Sequence, residues 1–170
     1  MEIGLGLGSN LGDRLAALQE AVRRIAALEG VSLRAVSPLY ETAPVGARPE
    51  HAHRDYLNAV VIIEYGGDLA RLAAQLHGIE AALGRQRDPA DRNAPRTLDI
   101  DVLYAGQTSR TDPALTLPHP RWTERRFVVQ PLADVRPDLR LPGATLTVAE
   151  TLAALPPGER VVRVTERWWE

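Results

Sequence analysis

Alternating and helical spacings of apolar residues divide the chain into a short series of elements. Residues 2–7 alternate, with Ile3, Leu5 and Leu7 on one face and Gly4 and Gly6 on the other. This predicts a strand that something can approach closely on its glycine side. Leu11, Leu15, Leu18, Val22, Ile25 and Leu28 recur at helical spacing, led by Asn10 and Asp13 as a helix-start signal and stopped by Gly30. Residues 31–40 and 56–65 read as two further strands, separated by TAPVGARPEHAHRD, a proline- and charge-rich loop too long for a tight hairpin. Leu69, Leu72, Leu76, Ile79 and Leu83 mark a second helix that ends at Gly84. From Thr97 the residues alternate again: Leu98, Ile100, Val102 and Tyr104 share one face, and Thr97, Asp99 and Asp101 the other. The tail adds helical runs at 124–133 and 148–155 and a late strand at 160–164.

This order predicts an α+β fold, a ferredoxin-like βαββαβ core whose antiparallel sheet carries its helices on one face. A short C-terminal α/β extension follows, and the 170 residues are expected to form one domain without internal repeats or linkers.

The segment RQRDPADRNAPRTLDIDVLY at 85–104 carries the chemistry. Four arginines (Arg85, Arg87, Arg92 and Arg96) precede two aspartates on one strand face. Carboxylates two residues apart on a strand have Cα atoms about 6.5 Å apart. At an effective dielectric near 20 they repel by about 2–3 kcal/mol unless a cation intervenes. A pair of divalent ions would relieve that repulsion, and the arginine loop would face an anionic ligand on them. That is the layout of a phosphoryl- or nucleotidyl-transfer site. The same spacing also fits a surface aspartate pair beside a solvated loop.

Composition narrows the mechanism. All 20 basic residues are arginine, which excludes a P-loop lysine, a Schiff-base lysine and a kinase-type strand lysine. The absence of cysteine removes disulfides, thiolate catalysis and Cys-based metal sites. A net charge of −2 argues against binding nucleic acid through bulk charge. The chain has no run of 18 apolar residues and no basic leader at its start, so a cytoplasmic protein with no membrane contact is expected.

GLGLGSNLGDR at 4–14, SPLYETAPVG at 37–46, DYLNAVV at 55–61, LHGIEAALGR at 76–85, RNAPRTLDIDVL at 92–103 and LPHPRWTERRFVVQPLADVRPDL at 117–139 stand in one order with characteristic spacings. In these segments the chain resembles the 6-hydroxymethyl-7,8-dihydropterin pyrophosphokinase family of folate biosynthesis. The resemblance implies transfer of the β,γ-pyrophosphoryl unit of ATP to the pterin hydroxymethyl oxygen, with release of AMP. It implies two Mg²⁺ ions on Asp99 and Asp101, and a catalytic set of Arg85, Arg96, Asp99 and Asp101. ATP would be met by Glu80, His77, Arg87, Arg92, Arg96, Thr116, His119 and Arg125. The pterin would be met by Tyr56 and Phe127 as stacking partners, with Asn58, Thr42, Pro44 and Val45 at its edge. Asn93, Ala43 and Ala114 replace a tryptophan, a proline and an arginine found in other members.

Asn58 also stands out without the resemblance, because an amide inside YLNAVVII needs a buried partner or a ligand. His51 and His53 lack neighbouring ligands and fit a solvated loop. Trp168 and Trp169 fit the edges of the core. The alternative is a non-catalytic ferredoxin-like module that binds nucleotide or RNA, or serves regulation, since fold alone does not fix function. The 44–55 and 85–96 loops are expected to close over ligands, and the protein is expected to be a monomer.

Overall fold

A computed structural model describes residues 1–86 and 88–170. Arg87 lies outside the described residues. The first strand, β1 (Glu2–Ser9), leads into α1 (Arg14–Ala26), which Asp13 caps by accepting a hydrogen bond from the Ala16 N–H at 3.0 Å. Asn10 is not part of that cap. β2 (Val31–Val36) and β3 (Leu39–Thr42) follow, then β4 (Tyr56–Tyr65), α2 (Leu69–Ala82) and β5 (Asp99–Ala105). A small hairpin, β6 (Arg110–Asp112) and β7 (Leu115–Leu117), precedes α3 (Arg126–Val135), α4 (Val148–Ala154) and β8 (Val161–Thr165).

The main sheet runs β5-β1-β4-β3-β8, with β2 also paired to β4, and every pairing is antiparallel. This is the expected βαββαβ order, with β8 added at one edge. The expected strand over 31–40 is broken into β2 and β3 at Ser37–Pro38. Proline has no N–H for the ladder, and the Ser37 hydroxyl instead accepts from the Val60 N–H at 2.8 Å.

Helices cover both faces of the sheet. On one, Leu18, Val22 and Ile25 of α1 and Leu72, Leu76 and Ile79 of α2 pack on Ile3, Leu5, Leu7, Val61, Ile63 and Ile100. Leu15, which the helical stripe placed in the core, is 38% exposed because it lies at the flank of α1. On the other face Val128, Val129 and Leu132 of α3 and Val148 of α4 pack on Val60, Ile62, Leu103 and Tyr104. The C-terminal extension thus supplies a second core.

Tyr104 is a correction to the alternation. The register between β1 and β5 shifts between Gly4 and Leu5, so Leu5 faces Val102 while Gly4 faces Tyr104. The extra residue turns Tyr104 onto the second face beside Leu103. Its hydroxyl donates to Glu2 at 2.7 Å, and Glu2 also receives Nε and Nη2 of Arg136, each at 3.1 Å. The glycines of β1 accommodate this packing. A Cβ on Gly4 would lie 2.3 Å from the Tyr104 ring, and one on Gly6 would lie 3.3 Å from Leu103.

Gly4→Ala should therefore destabilise the fold by about 1–3 kcal/mol, the range for overpacking a filled core. Gly6→Ala should cost less. Urea unfolding would measure both, and an unchanged midpoint for Gly4→Ala would contradict this packing.

Candidate active site

The carboxylates of β5 are uncovered because of what β1 places beside them. Asp99 is opposite Gly8 and Asp101 opposite Gly6, so no β1 side chain crosses the strand face that they share. Gly8 is constrained further, since a Cβ there would lie 2.7 Å from Oδ1 of Asn58. The amide of Asn58 is buried and donates to Thr42 Oγ1 at 2.6 Å, a partner from the neighbouring strand. The polar residue that was conspicuous in an apolar run is thus fixed in place, and its carbonyl end lies against Gly8.

Arginines compensate the pair unevenly. Arg85 donates to Asp99 at 2.7 Å and also pairs with buried Glu80, while Arg96 stands 3.5 Å from the other Asp99 oxygen. His77 lies on the solvent side of Glu80, at 3.4 Å. Burial, with the charge of Asp99 beside it, pushes the Asp101 carboxyl up to about 7. Arg125, Arg85 and Arg96 only partly offset this.

Two cavities meet at this strand face. The first is lined by Gly6, Gly8, Thr42, Ala43, Val45, Tyr56, Asn58 and Phe127. Burial raises the Tyr56 phenol above its ordinary range, so Tyr56 presents a neutral ring, and Arg125 sits 5.6 Å over the ring of Phe127. The second cavity is a wider cleft lined by His77, Glu80, Arg85, Arg92, Arg96, His119 and Arg125. Asp99, Asp101, Asn93, Arg96, Arg121 and Arg125 line both. Burial first and the charge of Arg125 second hold the His119 pKa below its ordinary range, which favours the neutral imidazole. Its Nδ1 accepts the Arg121 N–H at 3.1 Å, which leaves the proton on Nε2.

The loops over the cavities are anchored at their stems. Asn10 donates its backbone N–H to the Arg96 carbonyl at 3.1 Å and accepts the Arg96 N–H on Oδ1 at 2.8 Å. Further out, Asn93 donates to the Gly46 carbonyl at 3.1 Å and Arg48 to the Ala90 carbonyl at 2.7 Å.

Residues 4–137 match the family described as 7,8-dihydro-6-hydroxymethylpterin-pyrophosphokinase. The chain belongs to this family. It is 43% identical over 159 residues to the 2-amino-4-hydroxy-6-hydroxymethyldihydropteridine pyrophosphokinase of Methylorubrum extorquens, covering 92% of this chain and 96% of that protein. With the enzyme of the same name from Pseudomonas aeruginosa it shares 40% identity over 152 residues, covering 89% and 90%. Among solved structures, wild-type Plasmodium falciparum HPPK-DHPS with pteroate superposes with a TM-score of 0.67 at 14% identity. That match covers 89% of this chain and 42% of the Plasmodium chain, so this chain spans less than half of it. At such identity the likeness establishes the fold.

Most of the residues that the pyrophosphokinase resemblance singled out come together at the two cavities. Three do not. Thr116 lies on β7 in an adjoining hollow with Ala73, Leu76, Ala114 and His119, and Pro44 does not line the first cavity. Arg87 is outside the described residues. Gly8 and Arg121 were missed. The alternating glycines of GLGLGS carried the signal for Gly8, whereas an arginine in an arginine-rich loop carried none for Arg121.

The raised Asp101 has a consequence for stability. Its carboxyl is protonated in both folded and unfolded chains below about pH 4. As pH rises towards and through 7 the unfolded chain ionises readily and the folded one does so against burial, so the fold loses stability. Asp101→Asn should therefore match the parent Tm near pH 3.5 and exceed it at pH 8. A parent protein at least as stable at pH 8 would overturn this reading of the carboxylate.

Proposed function

We propose that this chain is the pyrophosphokinase of folate biosynthesis that uses ATP and 6-hydroxymethyl-7,8-dihydropterin, working as one domain over residues 1–170. The observation that carries the proposal is that an amide-lined aromatic pocket and an arginine-lined cleft share one wall, the strand face of Asp99 and Asp101.

The first cavity takes the pterin. Tyr56 and Phe127 bracket its flat ring, and Asn58, Thr42 and the backbone near Val45 read its donor–acceptor edge. Pro44 shapes that backbone from outside the pocket. The cleft takes ATP. Arg92, Arg96 and Arg125 fork onto phosphate oxygens, as does Arg87, and Nε2–H of neutral His119 donates to another. Glu80 and His77 take the nucleoside end, and the hollow at Thr116, which shares His77 and His119 with the cleft, takes the base.

Asp99 and Asp101 are suited to Mg²⁺. Both offer hard oxygen donors on one strand face, and the arginines offset the charge of Asp101 only in part. Mg²⁺ favours such partial protein coordination completed by phosphate and water. When bound, the two ions neutralise the triphosphate and make its β-phosphorus electrophilic. The pterin hydroxymethyl oxygen, held at the shared wall, forms a bond to the β-phosphorus. The bond from that phosphorus to the α,β-bridging oxygen breaks, AMP leaves with the electron pair, and the hydroxyl proton passes to solvent. Arg85 and Arg96 lie beside the charge that develops. The chemistry calls for positioning and charge neutralisation more than for a strong base.

A module that only binds nucleotide or RNA would have no use for a second, aromatic pocket at the carboxylates. No helix among the described residues is long and apolar enough to cross a membrane, which suits an enzyme of the cytoplasm. A monomer suffices, because both cavities are built from one chain.

Asp99→Ala and Asp101→Ala should each lower turnover by about a thousandfold or more while the fold persists. A non-hydrolysable ATP analogue at about 100 times its Kd should raise Tm by roughly 5–10 °C with Mg²⁺ present, and by much less with EDTA. Protection that ignores Mg²⁺, or a variant retaining most activity, would count against the two-carboxylate site.

A further inference from the structure

The last 33 residues lie beyond the stretch that matches the family, yet one of them touches both ends of the loop that forms the acceptor pocket. We propose that Arg160 is a positioning residue for the pterin pocket, fastening the two stems of the 43–55 loop to each other. The inference rests on assigning that pocket to the pterin.

Arg160 immediately precedes β8, the strand that extends the sheet beyond β3. Its carbonyl accepts the Ala43 N–H at 3.2 Å, which carries the β3–β8 ladder one step past Thr42 and into the loop. Its guanidinium reaches across to the far stem and pairs with Asp55 at 2.5 Å. Ala43, a partner in the first contact, and Tyr56, which follows the partner in the second, both line the acceptor pocket. One residue thus sets where the loop leaves the sheet and where it returns.

Asp55 is held a second time, by Arg14, which donates to its carbonyl at 3.0 Å and pairs with Glu41 of β3 at 2.9 Å. The residue before Tyr56 is therefore fixed through its backbone by α1 and through its side chain by the C-terminal strand. The strand is itself secured, because the indole of buried Trp168 donates to the Ser37 carbonyl at 2.9 Å. The Arg160–Asp55 pair is exposed enough to add little to global stability. Its effect falls on how much order the loop must gain when the pterin binds, which appears as affinity for that ligand alone.

The test is calorimetry on the full chain, with a non-hydrolysable ATP analogue plus Mg²⁺ titrated first and 6-hydroxymethyl-7,8-dihydropterin second. Arg160→Ala should raise the pterin Kd roughly three- to tenfold. The Kd of the ATP analogue should stay within about twofold. Arg160→Lys, which can still pair with Asp55, should recover most of the loss. Asp55→Asn should reproduce it, and the double variant should add nothing further. An unchanged pterin Kd, equal loss for both ligands, or additive effects in the double variant would overturn the proposal. An unaltered chain that binds the analogue but not the pterin would overturn the acceptor assignment itself, and this inference with it.

Discussion

Two like charges held side by side on a partly buried strand face oppose folding, and much of the molecule is arranged around that opposition. Asp99 is relieved by Arg85 and Arg96, but Asp101 is left with a carboxyl that resists ionisation up to about pH 7. Replacing one carboxylate by an amide would remove the penalty, so the pair costs the fold stability that a positive charge arriving with a ligand would offset. The arginines pair with the carboxylates and with backbone carbonyls of their own loop, such as Arg96 with the carbonyl of Arg92 at 2.5 Å.

The glycines of β1 connect this electrostatic site to the fold. Along one strand face Gly4 admits the Tyr104 ring, Gly6 admits Leu103, and Gly8 admits Asn58 and Tyr56. The first two contacts build the second hydrophobic core, on which α3 and α4 rest. The third belongs to the first cavity. The same absence of side chains also leaves Asp99 and Asp101 open to the cavities. One local pattern therefore serves packing at one end of the strand and chemistry at the other.

The core elements were legible because their apolar periods are long and uninterrupted, as in α2 and β4. What escaped the sequence has identifiable physical causes. The break between β2 and β3 depends on one serine hydroxyl replacing a ladder contact beside Pro38. The flip of Tyr104 depends on a one-residue register shift that alternation cannot reveal. Asn10 resembled a helix-start residue but serves the arginine loop, a partner 86 residues away. At the site, Asp99 and Asp101 stood out as like charges on one strand face behind four arginines, and Asn58 as an amide in an apolar run. His119 and Phe127 did so only through resemblance, since either would pass as an ordinary loop or core residue. The tail carried no functional signal, because the role of Arg160 exists only once β8 has joined the sheet.

The central claim is that the shared wall brings the pterin oxygen to the β-phosphorus of ATP. Phosphorus NMR of a reaction containing the protein, ATP, Mg²⁺ and 6-hydroxymethyl-7,8-dihydropterin tests this directly. The account predicts AMP together with a pterin-linked diphosphate. The appearance of ADP with a pterin monophosphate would mean that the γ-phosphorus lies at the wall, and it would contradict the geometry described for the two cavities.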